Sequence, residues 1–349
     1  MTVFTPAVSG TVRSPTAGVS ASGSYLADIV SAASVDIVST ASRRWTEVRH
    51  VGALGATYQP RTVGVSANGS VSSEPDYLSV SGGGRVLWEL SDKTVTPTVG
   101  YTYGHDTAGK TGTPFSVYSQ DLSRHALFLG TELVLDRRTT AFLSLDTILE
   151  RGDQKKPYRM LPLFSSDGAT RVPAGAELSL VNQLRLPGRM AENTPDERNR
   201  FGLSLRVARR FTSSTLVLAE RAYADDWGLL ASTSDARWYR DLGARFLVFL
   251  HLRAHAQTGV SFWRRAYVGV VGTAGPLVAP TYRTGDRELS PLLSGTAGFG
   301  ARFDFGPRSR PSSWAVSLQG DATATDFLNA LYVRDRLAEI GILALETEL

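Results

Sequence analysis

The sequence has no cysteine, which excludes disulfides, thiolate-bound zinc and a thiol nucleophile. That suits an oxidising envelope compartment, where stray thiols cross-link. It also lacks any run approaching the roughly 18 apolar residues that a membrane-spanning helix needs. With a mean hydropathy of -0.09, a bundle of membrane helices is excluded. Charge of one sign is scarce as well: 37 Lys and Arg against 33 Asp and Glu leave +4, too little to point to nucleic acid. No basic segment followed by an apolar one opens the chain, and a strand pattern starts directly after Met1. Secretory leaders have that two-part form, so a leader is expected to have been removed or to lie outside this sequence.

What is present is glycine, 33 in 349 residues, together with many Ser and Thr, which fits many strands and turns. The length accommodates two soluble domains or one large barrel. Average hydropathy does not decide between them, because barrel strands hide their apolar half by alternation. The stretch from Arg198 to Thr258 does decide. It runs RNRFGLSLRVARRF, TSS, TLVLAERAYADDW, GLLASTSDARWY, RDLG, ARFLVFLHLRAHAQT, alternating segments joined by very short connections, as in an antiparallel meander. In the last segment Phe246, Val248, Leu250, Leu252, Ala254 and Ala256 share one face, and Arg245, His251, Arg253, His255 and Gln257 the other. One face is greasy and one is charged.

The same pattern predicts strands at 2–14, 18–29, 45–59, 62–73, 77–90, 94–105, 124–135, 139–150, 198–211, 215–225, 228–239, 245–258, 291–305, 313–325 and 336–348. Their lengths suit tilted strands crossing a hydrocarbon layer and exceed the roughly five or six residues of a soluble strand. Short turns at 15–17, 60–61, 91–93, 136–138, 212–214, 240–244 and 306–312 alternate with connections at 30–44, 74–76, 106–123, 151–197, 226–227, 259–290 and 326–335, which are mostly longer. Outer-membrane barrels are built this way, with the long loops outside. Aromatic side chains agree: Tyr58, Trp88, Phe211, Trp238, Phe305 and Trp314 sit near short turns, and Tyr25, Tyr101, Tyr103 and Tyr223 near the other ends, as two interfacial belts.

Two features fit less well. Fifteen strands is an odd number, whereas bacterial single-chain barrels are even, and the first short turn leaves the N-terminus outside. A strand ahead of residue 1 repairs both and gives about 16; a partial strand in VSFWRRAYVGVVG, 260–272, is the other repair. Glu220 falls on the apolar face of its strand, for which a β-bulge reversing the facing is the expected answer.

The Pro195, Asp196, Arg198 segment, the corner Tyr223, Asp225, Asp226, Trp227, Gly228 and the acidic, Ser/Ala-rich ADIVSAASVDIVSTAS together resemble a family of Gram-negative outer-membrane barrels known only as a domain of unknown function. The resemblance touches most of the chain and is sharp over roughly 60 residues. It implies a barrel with a further strand ahead of the region of Val3, and it brings no functional residues with it.

Chemistry-bearing motifs are weighed against plainer uses. Gly104 to Thr111 spells G-x-x-x-x-G-K-T, but TGTPFSVYSQ follows instead of the helix whose N-terminus would cradle phosphate, so it reads as an outside loop. His251, Arg253 and His255 lie about 7 Å apart in alternation with a guanidinium between two imidazoles, which favours lumen wall over metal site. Asp225, Asp226 and Trp227 are loop candidates: paired carboxylates suit calcium or acid–base work, and Asp caps turns more commonly. Loop 151–197 carries Lys155, Lys156, Arg159, Arg171, Arg185 and Arg189, candidates for lipopolysaccharide phosphates. The most informative set is the inward charge. Arg49, Arg85, Arg200, Arg206, Arg210, Arg253 and Arg302 mix with Glu47, Glu89, Glu132, Asp146, Glu150, Asp235, Asp304 and Asp321, and Arg237, His251 and His255 share that face. In a soluble core such charges are ruinous unless paired. In a wet lumen they line a wall or a constriction.

The expectation is one domain over 1–349, all-β: a transmembrane antiparallel up-and-down barrel with long extracellular loops at 106–123, 151–197 and 259–290. It is placed in the outer membrane, with bilayer, lipopolysaccharide and an envelope protein as candidate partners, no nucleic acid and no cofactor or metal. Porin-like passage of small polar solutes is the first functional expectation. A closed structural, assembly or partner-binding barrel is the second, and a hydrolase resting on Asp225 and Asp226 the third; no enzyme is expected.

Overall fold

The structure, a computed structural model, describes residues 2–31, 46–271, 277–306 and 314–347. Most of connection 30–44, with the bulk of its Ser/Ala-rich stretch, and most of turn 306–312 lie outside the described residues. In chain order the strands are β1 (Thr2–Phe4), β2 (Ala7–Ser14), β3 (Val19–Ser31), β4 (Thr46–Tyr58), β5 (Val63–Glu74), β6 (Tyr77–Trp88), β7 (Val95–Ala108), β8 (Gln120–Asp136), β9 (Thr139–Gly152), β10 (Met160–Phe164) and β11 (Arg185–Ala191). They continue with β12 (Glu197–Arg210), β13 (Ser214–Asp225), β14 (Leu230–Leu242), β15 (Phe246–Gln257), β16 (Tyr267–Val268), β17 (Val270–Val271), β18 (Leu277–Val278), β19 (Leu292–Asp304), β20 (Trp314–Phe327) and β21 (Asp335–Thr347). Two short helices, α1 (Ser166–Arg171) and α2 (Leu178–Leu184), lie between β10 and β11. No described helix is long and apolar enough to cross a membrane.

The long strands form one antiparallel sheet in chain order, β1-β3-β4-β5-β6-β7-β8-β9-β12-β13-β14-β15-β19-β20-β21, with β2 also on β3. Because β1 and β2 both pair with β3, the 16-stranded sheet has fifteen staves. The expected strand 2–14 is broken at Thr5 and Pro6; proline has no N–H to give the ladder. All the other expected strands are present. With fifteen alternating staves the first and last run parallel, and no ladder joins β1 or β2 to β21 among the described residues.

The sheet curls into a barrel. Arg159 borders one cavity with Tyr77, at the start of β6, and another with Ala330, just beyond β20. Laid flat, the nine steps from β6 to β20 in that order would hold those sites about 43 Å apart, at ~4.8 Å per strand. Alternation then sorts the side chains. Outward positions expose large apolar groups, among them Leu252 at 61% and Phe299 at 64%, a contiguous exposure that hydrocarbon explains. Tyr58, Trp88, Phe211, Trp238, Phe305 and Trp314 are all exposed at the short-turn end. At the other end Tyr25 and Tyr101 are tied to outward histidines of the next strand, each hydroxyl 2.7 Å from Nδ1 of His50 or His125.

Two expectations need correction. Tyr223 does not belong to the belt: its ring faces inward, with its hydroxyl 2.9 Å from Asp225 Oδ2. No bulge turns Glu220. The register Leu205↔Glu220↔Ser234 is unbroken, and the carboxylate stays on the outward face, accepting from Ser232 Oγ at 2.6 Å and Ser234 Oγ at 2.5 Å. Two hydroxyls on the neighbouring strand supply what water would.

Most of the buried apolar residues gather over the mouth. β11, β10 and β16 form a three-stranded sheet and β17 pairs with β18, while Ser165 caps α1 by accepting from Gly168 N at 3.0 Å. Phe164, Val172 and Val181 are fully buried together, with Leu331 and Tyr332 against them. Leu161, Leu163 and Tyr267 form a second cluster and Trp227, Leu229, Val260 and Trp263 a third. Each such side chain contributes roughly 1.5–3 kcal/mol. The described residues of connections 151–197 and 259–290 are therefore a folded cap, and within the described part of 260–272 the expected partial strand is only the short β16 and β17.

Candidate functional site

Every expected lumen residue falls on the inward face, and the charges lie along the wall. Asp235 pairs with Arg237 at 3.3 Å and with His251 Nε2 at 2.9 Å, and Asp321 meets His251 Nδ1 at 2.7 Å. Arg302 joins Asp304 at 3.0 Å and Glu346 at 2.5 Å. Asp146 holds Arg221 at 3.0 Å, and Arg200 holds Glu150 at 2.8 Å. Arg210 pairs with Asp241, and Arg49 with Asp28. Glu89 sits at the short-turn rim with Lys93 and Gln59. His255 Nδ1 is 2.8 Å from Thr233 Oγ1. Arg85 lies over the Phe128 ring at 4.8 Å. Glu132, Arg206 and Arg253 project with no ion pair among the described residues. The register places these three with Asp235 on one row across the sheet, Glu132↔Phe142↔Arg206↔Ala219↔Asp235↔Arg253.

Several of these contacts skip a strand. His251 on β15 reaches Asp321 on β20 across β19, where position 298 is glycine; a Cβ there would lie 2.0 Å from Asp321 Oδ1. Arg221 crosses β12 at Gly202 to reach Asp146, and Arg85 crosses β7 at Gly100 to reach Phe128. Inward glycines let long charged side chains lie flat, and none of these three contacts spans the lumen from the far wall.

The two halves of the family-like motif, 27 residues apart in sequence, form one lock. Asp225 accepts Arg198 Nε at 2.9 Å, Leu229 N at 2.9 Å and the Tyr223 hydroxyl. Arg198 stacks on Trp227 at 4.4 Å, and Trp227 Nε1 donates to Glu197 O at 2.8 Å. Gly228, at φ +88, makes the tight turn that only glycine adopts readily. Asp226 caps Asn199, accepting from its N at 3.0 Å and its Nδ2 at 2.7 Å. Both carboxylates are engaged with different partners, an arrangement for holding a corner. At the phosphate-loop sequence, Gly109 N donates to Asp76 O and Lys110 bridges Thr113, and no helix follows. One trio of carboxylates among the described residues, Glu47, Glu74 and Asp76, brings oxygens within 4.8 Å of one another.

The cap is tied round the rim. Tyr158 donates to Asp76 Oδ2 at 2.6 Å and accepts from Thr111 N at 2.6 Å. Gly175 N and Ala176 N donate to Ala330 O and Leu331 O, and Arg159 joins Glu192 at 3.3 Å to Asp286 at 2.8 Å. Of the basic residues expected to face lipopolysaccharide, Arg159 is thus turned inward, Lys155 is paired with Asp153 and Arg171 with Asp167. Beneath the cap, against the cap-side ends of β6 to β9 and β12, lies a polar chamber of about 230 Å³. Gln120, Glu192 and Thr194, which line it, carry no pattern of their own in the sequence.

A family model described as a protein of unknown function (DUF3570) matches residues 113–298, more than half of the chain. No curated protein matches the sequence. Among solved structures, CdiB from Acinetobacter baumannii is 10% identical with a TM-score of 0.44, the alignment covering 94% of this chain and 57% of that one. The ferric enterobactin receptor PfeA from Pseudomonas aeruginosa is 8% identical with a TM-score of 0.45, over 99% and 56%. BamA from Haemophilus ducreyi is 10% identical with a TM-score of 0.38, over 93% and 68%. The chain spans little more than half the length of the first two.

Proposed function

Taking as premise that the chain belongs to the DUF3570 family, we propose that it is an outer-membrane barrel for passage of small polar solutes, with the cap over its mouth restricting access. The observation that carries this reading is the lay of the inward charges. Those that pair do so with their own, the adjacent or the next-but-one strand and lie against the wall, which keeps charge in a wet lumen without bridging it. A barrel of about sixteen strands is wide enough for a water-filled channel. The cap, with Arg171 at the end of α1, faces outside in this reading, where lipopolysaccharide phosphates would meet it.

A second reading, a closed barrel serving assembly or a partner, draws on the cap's ties from Asp76 round to Leu331. Conductance of the full chain, refolded in detergent and inserted in a planar bilayer, separates the two. Passage predicts discrete steps that grow in Phe164→Ala, whose cap core is loosened by about 3–5 kcal/mol. Silence from both, in protein shown to be folded by heat-modifiable migration, would establish the closed barrel instead.

A further inference from the structure

We propose that the chamber beneath the cap binds a small uncharged polyhydroxy solute, of the sugar class. The inference rests on the passage reading and names the class of solute that the mouth selects.

The chamber's charge is balanced. Its lining carries five cationic and five carboxylate side chains, and they are largely spent on each other: Arg200 on Glu150, Lys155 on Asp153, and Arg159 on both Glu192 and Asp286. A free cation gains little from such a lining and must break a pair to enter, and an anion finds only Lys156 without an ion pair among the described residues. The unmet groups are of another kind. Gln120 Oε1 and Thr194 Oγ1, on residues 7% and 3% exposed, have no hydrogen-bond partner among the described residues, and neither do the Nε atoms of Arg159 and Arg200. Buried polar atoms left unpaired are costly, and these side chains border the chamber, so a ligand there toward which they turn would meet them. The set comprises one acceptor, two N–H donors and one hydroxyl that does either. A ligand that satisfies it must offer donors and acceptors side by side, which is what neighbouring hydroxyl groups do. Tyr77 and Trp227 also border the space, giving aromatic surface for the C–H faces of a ring. Water meets the polar atoms alone; a polyol meets both.

The test uses the full chain in detergent micelles, titrated with glucose and with maltose while tryptophan emission is followed, and in parallel with inorganic phosphate and with choline. A saturable change is expected with a sugar and none with either ion. In the double variant Gln120→Leu, Thr194→Val the apparent affinity should fall roughly tenfold or more. That variant removes unpaired buried groups, so it should fold at least as well as the parent. No saturable response to either sugar from folded protein, a response to phosphate or choline instead, or sugar binding unchanged in the double variant would overturn the proposal. Conductance keeps the two readings apart: steps without sugar binding retire the sugar chamber and leave passage standing. Sugar binding in a silent barrel does the reverse.

Discussion

His251 and Asp321 meet at 2.7 Å although a whole strand, β19, runs between the strands that carry them. Gly298 makes the contact: a Cβ at that position would stand 2.0 Å from Asp321 Oδ1. Gly298→Ala should push the carboxylate off the imidazole and lower stability by about 1.5–3 kcal/mol, the worth of a hydrogen bond to a charged group. Gly295, on the outward face of the same strand, has nothing within 4 Å of its would-be Cβ, so Gly295→Ala should be neutral or slightly stabilising. Urea unfolding of both variants in detergent checks the pair. Equal losses would mean that strand glycine, and not the crossing, is what matters.

The corner lock predicts different costs for its two carboxylates. Asp225 is fully buried beside Arg198, so Asp225→Asn leaves a buried guanidinium unmatched, at about 3–5 kcal/mol. Asp226→Asn should cost only about 1 kcal/mol, the worth of an ordinary hydrogen bond. Neither should change turnover on a lipid or peptide panel. Activity in the parent that Asp226→Asn abolishes while the barrel stays folded would revive the hydrolase reading.

The staves were legible because period-two alternation is local: strand 245–258 declares its faces without reference to any other residue. Glu220 was also legible as outward, and the bulge expected to rescue it was unnecessary, since Ser232 and Ser234 already interrupt the apolar face of the next strand. Tyr223 has the ring of a belt residue, but its parity puts it inward beside Arg221 and Asp225. The cap was not legible. Phe164 owes its burial to Val181 and Leu331, and Arg159 its place to Asp286, 127 residues on, while β16 is two residues long and shows no period. The crossing glycines were visible as glycines, but their reason lies on a third strand.

On the register row from Glu132 to Arg253, the free arginines should set ion preference. Arg206→Glu combined with Arg253→Glu should move reversal potentials in a salt gradient toward cations. Arg221→Gln should move them less, because Arg221 is already matched by Asp146 at 3.0 Å. A larger shift from Arg221→Gln would place the narrowest part of the lumen elsewhere.

The cap should fail at alkaline pH before the wall does. Burial, and the bond to Asp76, push the Tyr158 hydroxyl above its ordinary value, and burial pushes that of Tyr267 up against the opposing bonds from Thr284 and Arg264. Both phenols hold the cap: Tyr158 ties it to the rim at Asp76 and Thr111, and Tyr267 ties it to itself at Phe262 O, 2.9 Å away. A phenol with a raised pKa in the folded state holds its proton more tightly there than in the unfolded chain. Its contribution is therefore complete below the unfolded value of about 10 and is lost as pH rises through the higher folded value. Protease resistance of the cap should stay level up to about pH 10 and fall above it, while heat-modifiable migration of the barrel persists. In Tyr158→Phe the fall should be shallower, since one of the two titrating groups is gone. A cap that opens well below about pH 10, or one whose resistance does not change above it, would show that these phenols do not hold it.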